Sequence, residues 1–362
     1  MAREFLMLAH VLSKKHGVAG YMISEKLDGM RAFSDGGITR GMPKSDVPWA
    51  NLAKDQREHT STGLWSRYGN VIYAPDWFLN LLPAMPLDGE LFTKRDDRQN
   101  LISIVSNFDP DERWEEVRYF TFDSPPPDVI FADGHVGKSS KNFNKVFEDV
   151  APWFAAQPKP EGWWQARPET IFKSAYTILQ RRLEGNERVK AHKQNVLPLG
   201  PEALKHVGIF VETFTKLKGE GVIVRDPESN WIPDRSHKML KVKKYDDDEG
   251  IVIGYTTGRL TDKGSKLLGM MGALILRYKG RKLELSGFTE EERRLSWTPD
   301  ICRAEQTCDP KTWAEQHPEE EVPYWIENPN FPRGTSITFI YRGLSEDKIP
   351  QEARYFRIDQ AG

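Results

Sequence analysis

Lys26 closes the run YMISEK, two residues before the Asp28-Gly29 turn and five before Arg31. A lysine at a strand end beside a tight turn can present its amine as a nucleophile. A solvated structural lysine gives the same letters, so the weight falls on its companions further along the chain. In order come Ser66-Arg67, Asp88-Gly89-Glu90, Phe122-Asp123, Glu220-Gly221-Val222-Ile223-Val224-Arg225 and Lys241-Val242-Lys243. Lys241 and Lys243 alternate to one face of a strand and so point at the same place. Phe120 and Phe122 share a strand face in the same way, an arrangement that a packed core also produces.

Taken in order, these elements resemble the motifs of covalent nucleotidyltransferases, most closely the ATP-dependent DNA ligases of the small bacteriophage and bacterial kind. The similarity runs from about Tyr21 to Tyr341, and GYTTGRLTDKGSKLLGMMGALILRY is similar to the opening of a ligase OB domain. The resemblance implies that Lys26 attacks the α-phosphate of ATP, forming a lysyl-AMP phosphoramidate and releasing pyrophosphate. It makes Lys26, Glu90, Glu220, Lys241 and Lys243 the catalytic set, the last two gripping the α-phosphate.

By the same resemblance Arg31 and Arg67 hold phosphate or ribose oxygens through the planar guanidinium fork, and Glu25, Ser66 and Arg225 complete the cofactor contacts. Glu90 and Glu220 hold Mg²⁺ through oxygen, with phosphate oxygens filling its shell. Phe122 stacks on adenine, with Phe120 as its substitute. A late arginine orients pyrophosphate; here Gln351 and Ala353 stand where Arg and Pro are usual, so the role passes to Arg354, with Arg357 beside it. The implied cofactors are ATP and Mg²⁺. The implied partner is nicked double-stranded DNA, bound by a cytoplasmic monomer serving replication or repair.

The elements that must position these residues read as α+β. Short strands fill the first half and return after residue 200, where HVGIFVETF, GEGVIVRDP and HKMLKVKKY have strand texture. PETIFKSAYTILQRRLEGNERVKAHK has helical periodicity, which makes residues 125–200 a helical insertion. Consecutive acids in Asp246-Asp247-Asp248-Glu249-Gly250 suit a solvated linker. The expected organisation is therefore an antiparallel-sheet nucleotidyltransferase domain over 1–245, a linker at 246–250, and a C-terminal OB-fold β-barrel over 251–362 carrying an insertion at 289–334.

Composition excludes several classes. The 51 Lys+Arg and 53 Asp+Glu leave a net charge of −2, so a polycation is ruled out and nucleic acid must be met by local basic segments, HKMLKVKK, RLTDKGSK and RYKGRK. Two cysteines supply neither a disulfide framework nor a four-thiolate zinc site. No apolar run is long enough for a membrane span, and the N-terminus does not read as a signal peptide. An NAD-dependent ligase is expected to carry a nicotinamide-recognising domain ahead of its lysine and a four-cysteine zinc module; with 25 residues before Lys26 and two cysteines, that class is not the expectation here. An RNA ligase or capping-type nucleotidyltransferase shares the lysine and carboxylate motifs; a catalytically dead OB-fold binding protein would lack them.

Overall fold

The computed structural model describes residues 6–13, 15–52, 60–130, 150–243, 245–260, 266–298, 309–345 and 347–358. Cys302, Cys308, Lys244, part of the RLTDKGSK loop and parts of the two expected insertions lie outside the described residues, as does the side chain of Arg357. The chain divides into two compact units, Met1–Lys243 and Lys244–Gly362.

The first unit holds two five-stranded sheets. Its strands are β1 (Leu8–Val11), β2 (Met22–Lys26), β3 (Met30–Ser34), β4 (Leu64–Ser66), β5 (Leu87–Phe92), β6 (Arg118–Asp123), β7 (Val189–Ala191), β8 (Asn195–Val196), β9 (Gly221–Arg225) and β10 (Arg235–Lys243). One sheet runs β1-β10-β9-β2-β8 and the other β4-β3-β5-β6-β7. Pairing is antiparallel except for β1 with β10 and β6 with β7. The Lys26 strand thus lies in the first sheet and the Glu90 strand in the second.

Each sheet buries apolar residues under a helix. Helix Ala203–Lys216 packs Ala203, Val207 and Val211 with Ile23, Val222, Val224 and Leu240 of the first sheet. The stretch HVGIFVETF is therefore helical, contrary to its strand texture. Its β-branched residues favour a strand locally, but the apolar positions recur at helical spacing and their burial against the sheet outweighs propensity. Helices Arg98–Val105 and Phe172–Arg182 contribute to the core of the second sheet through Leu101, Ile104 and Leu179.

Residues 125–200 are not simply a helical insertion. The helix stops at Arg182, Gly185 turns the chain at φ +78°, and the following VKA becomes β7, an integral strand of the second sheet. A left-handed glycine at that point ends the helix at little steric cost.

The second unit contains β11 (Asp246–Thr257), β12 (Met271–Tyr278), β13 (Arg281–Leu285), β14 (Ser296–Trp297), β15 (Ile326–Glu327), β16 (Ser336–Tyr341), β17 (Gly343–Leu344), β18 (Pro350–Gln351) and β19 (Arg354–Ile358). Five of them form a sheet in the order β13-β12-β11-β16-β19 over a core that includes Val252, Leu274, Leu276, Phe331 and Phe339. Its edge strands approach at one bridge, Ser286 with Arg354, and no continuous ladder closes the sheet among the described residues. The acids read as a linker open β11 instead: Asp246 pairs with Tyr341 and Gly250 with Ile337. Pairing partners outweigh the local charge, since the Asp248 carboxylate accepts hydrogen bonds from Tyr278 Oη at 2.7 Å and Lys279 Nζ at 2.9 Å.

Candidate active site

Strand β9 lies between β2 and β10, and its first residue, Gly221, is opposite Lys26 on one side and Lys243 on the other. Glu220 therefore enters between two lysines. Its Oε2 accepts from Lys26 Nζ at 2.5 Å and its Oε1 from Lys243 Nζ at 2.8 Å, with the carboxylate side chain only 3% exposed. Gly221 makes this entry possible. Its φ is +147°, and a Cβ there would lie 2.1 Å from the Val242 carbonyl oxygen.

Glu90 stands on β5 opposite Arg31 of β3. Burial pushes its carboxyl up to about 7; the charges of Lys26, Arg31 and Arg67 act against that rise and Glu220 adds to it. Lys241 is held below the ordinary lysine range by burial, then by Arg235, Lys243 and Lys26, while Glu220 opposes the shift. The expected residues Lys26, Arg31, Arg67, Glu90, Glu220, Lys241 and Lys243 are thus brought within electrostatic reach of one another. Glu220 already has two cations on its oxygens. The Glu90 carboxylate accepts no hydrogen bond from a described residue.

Arg31 is committed within the protein. Its Nε and Nη2 donate to both oxygens of buried Asp88, at 2.6 and 2.7 Å, and its guanidinium lies 5.2 Å from the centre of the Phe122 ring. Ser66 uses its hydroxyl to accept from the backbone N–H groups of Tyr68 and Asn70, holding the turn that carries Arg67. Arg67 in turn donates to Tyr68 Oη at 2.7 Å.

Beside Lys26 opens a cavity of about 600 Å³ whose walls include Glu25, Phe92, Arg95, Phe120, Lys190 and His192. Phe120 forms part of this wall; Phe122, on the same strand face, lies against Arg31. Arg95 grips the Glu25 carboxylate with two hydrogen bonds, at 2.6 and 2.7 Å. His192 hydrogen-bonds the Glu25 carbonyl oxygen through Nε2 at 2.8 Å. Neither Arg95 nor His192 stood out in the sequence; the histidine lies near the end of PETIFKSAYTILQRRLEGNERVKAHK, whose helical periodicity masks β7.

Arg225 does not join this cluster. Arg225 ends β9, four residues or roughly 13 Å from Gly221 at strand rise. It is 4% exposed, pairs with Asp123 at 2.6 Å and lies 4.0 Å from the centre of the Phe172 ring. These contacts are those of a cation that compensates a buried carboxylate. Arg354 belongs to the second unit, on β19 opposite Ile340, with an exposed side chain.

Among the described residues, no group of three or more His, Cys, Asp or Glu side chains could cage a metal. The basic segments are partly spoken for. Lys238 pairs with Asp226, Arg259 with Glu319, Lys279 with Asp248 and Lys282 with Glu321. The cations of these pairs are 60% or more exposed.

This combination of two mixed sheets and an amine held by a carboxylate agrees with the nucleotidyltransferase resemblance. A DNA ligase from Haemophilus influenzae is 24% identical over 357 residues, which span 98% of this chain and 92% of that protein. A structure from a structure–function study of Lig E DNA ligases, concerned with DNA binding by a minimal scaffold, superimposes with a TM-score of 0.61 at 24% identity over 98% of each chain. A structure named Pmar-Lig_PreS3 superimposes at 0.58 and 14% identity, covering 98% of this chain and 67% of its own. No protein-family model matches the chain.

Proposed function

We propose that this protein is an ATP-dependent DNA ligase that seals nicks in duplex DNA through a lysyl-AMP intermediate and a DNA 5′-adenylate. The observation that carries the reading is the row Lys26, Glu220 and Lys243 across three adjacent strands. The 2.5 Å contact supports Glu220 as the acceptor of a proton from the Lys26 ammonium. The amine then attacks the α-phosphorus; the P–N bond forms as the P–O bond to pyrophosphate breaks. Lys243 and Lys241, on the same strand, neutralise charge on the α-phosphate as it builds.

Mg²⁺ fits the donor set. It ordinarily binds through one or two carboxylates and completes its shell with phosphate oxygens and water. Glu90, partly buried and with a carboxylate that accepts no hydrogen bond from a described residue, has the lone pairs and the need for a cation, while both Glu220 oxygens face lysines. When bound, the ion would offset phosphate charge during transfer.

Residues 1–243 would form the nucleotidyltransferase unit. Residues 244–362 would form an OB-type domain, a reading supported by the five-stranded sheet whose edges meet at Ser286 and Arg354. Nicked duplex DNA is the substrate, bound by a monomer in the cytoplasm. No described helix is long and apolar enough to cross a membrane. The test is direct: incubation with α-labelled ATP and Mg²⁺ should give a covalent protein–AMP adduct, and nicked duplex DNA should then discharge it with sealing. Discharge only on nicked RNA, or labelling by GTP in place of ATP, would overturn the reading.

A further inference from the structure

The cavity beside Lys26 is rich in donors and poor in acceptors. Lys94, Arg95, Lys190, Lys193 and Lys218 lie along it as cations. The only carboxylate among its described lining residues, that of Glu25, is held on both oxygens by Arg95. One side-chain acceptor is left among those residues, a ring nitrogen of His192.

The tautomer follows from chemistry. Glu25 O is a carbonyl and can only accept, so Nε2 of His192 carries the proton in their 2.8 Å hydrogen bond. Burial lowers the pKa of the ring and favours its neutral form, in which Nδ1 bears a lone pair. Nδ1 has no partner among the described residues. Ring orientation is equally determined. Phe120 and Phe122 meet the imidazole edge-on, with centroids 5.6 and 5.7 Å away, and the His192 backbone N–H donates to Thr121 O at 2.8 Å.

We propose that His192 is the base-selecting residue of this cavity, its Nδ1 accepting a hydrogen bond from the 6-amino group of an adenine ring. The proposal rests on the nucleotide-binding reading of the site. A 6-oxo purine would set a carbonyl lone pair against the nitrogen lone pair, and a purine without a 6-substituent would leave Nδ1 unsatisfied. The surrounding cations cannot make this distinction, because as donors they favour the oxo group.

The experiment measures covalent labelling of the full chain by ATP, inosine triphosphate, purine riboside triphosphate and N6,N6-dimethyl-ATP. Wild type should label with ATP about tenfold more efficiently than with each analogue, as expected for one neutral hydrogen bond. In His192→Phe the ring can keep its edge-on packing against Phe120 and Phe122, but the Nδ1 acceptor is gone. The preference for ATP over purine riboside triphosphate should then fall to within about twofold, mainly through KM for ATP. A merely structural role would slow all four nucleotides together and keep the ratio, which overturns the proposal. Wild-type labelling by N6,N6-dimethyl-ATP as efficient as by ATP overturns it without any variant. Absence of labelling by every nucleotide in wild type overturns the ligase reading itself, and this proposal with it.

Discussion

Lys26 Nζ and Glu220 Oε2 lie 2.5 Å apart although 194 residues separate them in the chain. Glu220 also binds Lys243, so one carboxylate tethers two amines at the ends of the two strands that flank β9. Under the proposed ligase reading this tether holds the amine in place, which would remove part of the entropic cost of bringing nucleophile and phosphate together.

Lys26→Ala should abolish formation of the protein–AMP adduct without unfolding the chain. The same variant should still seal a nick that already carries a 5′-adenylate, because that step does not use the lysine as nucleophile. Gel analysis with labelled ATP and a pre-adenylated nick checks both, and normal labelling of the variant would refute the assignment.

Glu220→Gln should slow adenylylation by on the order of 10²–10³-fold, through loss of charge at the phosphoryl centre and of the proton acceptor for Lys26. Glu90→Gln should fall in the same range and raise the Mg²⁺ concentration needed for half-maximal rate. Single-turnover rates within about threefold of wild type would make these carboxylates structural.

Burial pushes the Glu90 carboxyl up from 4.5 to about 7. Between these values the folded chain holds a proton that the unfolded chain releases, so the stability this group contributes is fully present below 4.5 and is lost as pH rises through 7. Without nucleotide or Mg²⁺, Glu90→Gln should gain roughly 1–3 kcal/mol relative to wild type between pH 5 and pH 8. Urea unfolding of both proteins across that range measures the difference; parallel curves would contradict it.

Gly221→Ala should destabilise the first unit by at least about 2 kcal/mol, because the added Cβ meets a backbone oxygen and the residue cannot relax to an ordinary φ. Any folded remainder should adenylylate poorly, since Glu220 would be displaced from its lysines. Urea midpoints equal to wild type would show that the strand can shift.

Arg225→Met should cost about 3–5 kcal/mol by leaving buried Asp123 without its cation. Below the unfolding transition, KM for ATP in the labelling reaction should stay within about twofold of wild type. A large rise in KM with unchanged stability would restore Arg225 to the nucleotide site.

The sequence alone carries the order of the chemical elements, from Lys26 through Glu90 and Glu220 to Lys241 and Lys243, because each depends on residue type at short spacing. It also carries the strands beside them: β2 ends on Lys26, β5 holds Glu90, β9 begins just after Glu220 and β10 ends on Lys243. Local spacing could not decide where side chains go once sheets pair. Phe120 and Phe122 share a strand face, yet Phe120 lines the cavity while Phe122 lies against Arg31. Arg225 reads as a ligand beside Glu220, but strand rise carries it away to Asp123. Asp246–Thr257 reads in part as a charged linker and becomes a strand because β16 and Tyr278 satisfy it. His192 gains meaning only from Glu25 O, 167 positions away in sequence. Long-range pairing and burial determine these outcomes, and both depend on partners distant in the chain.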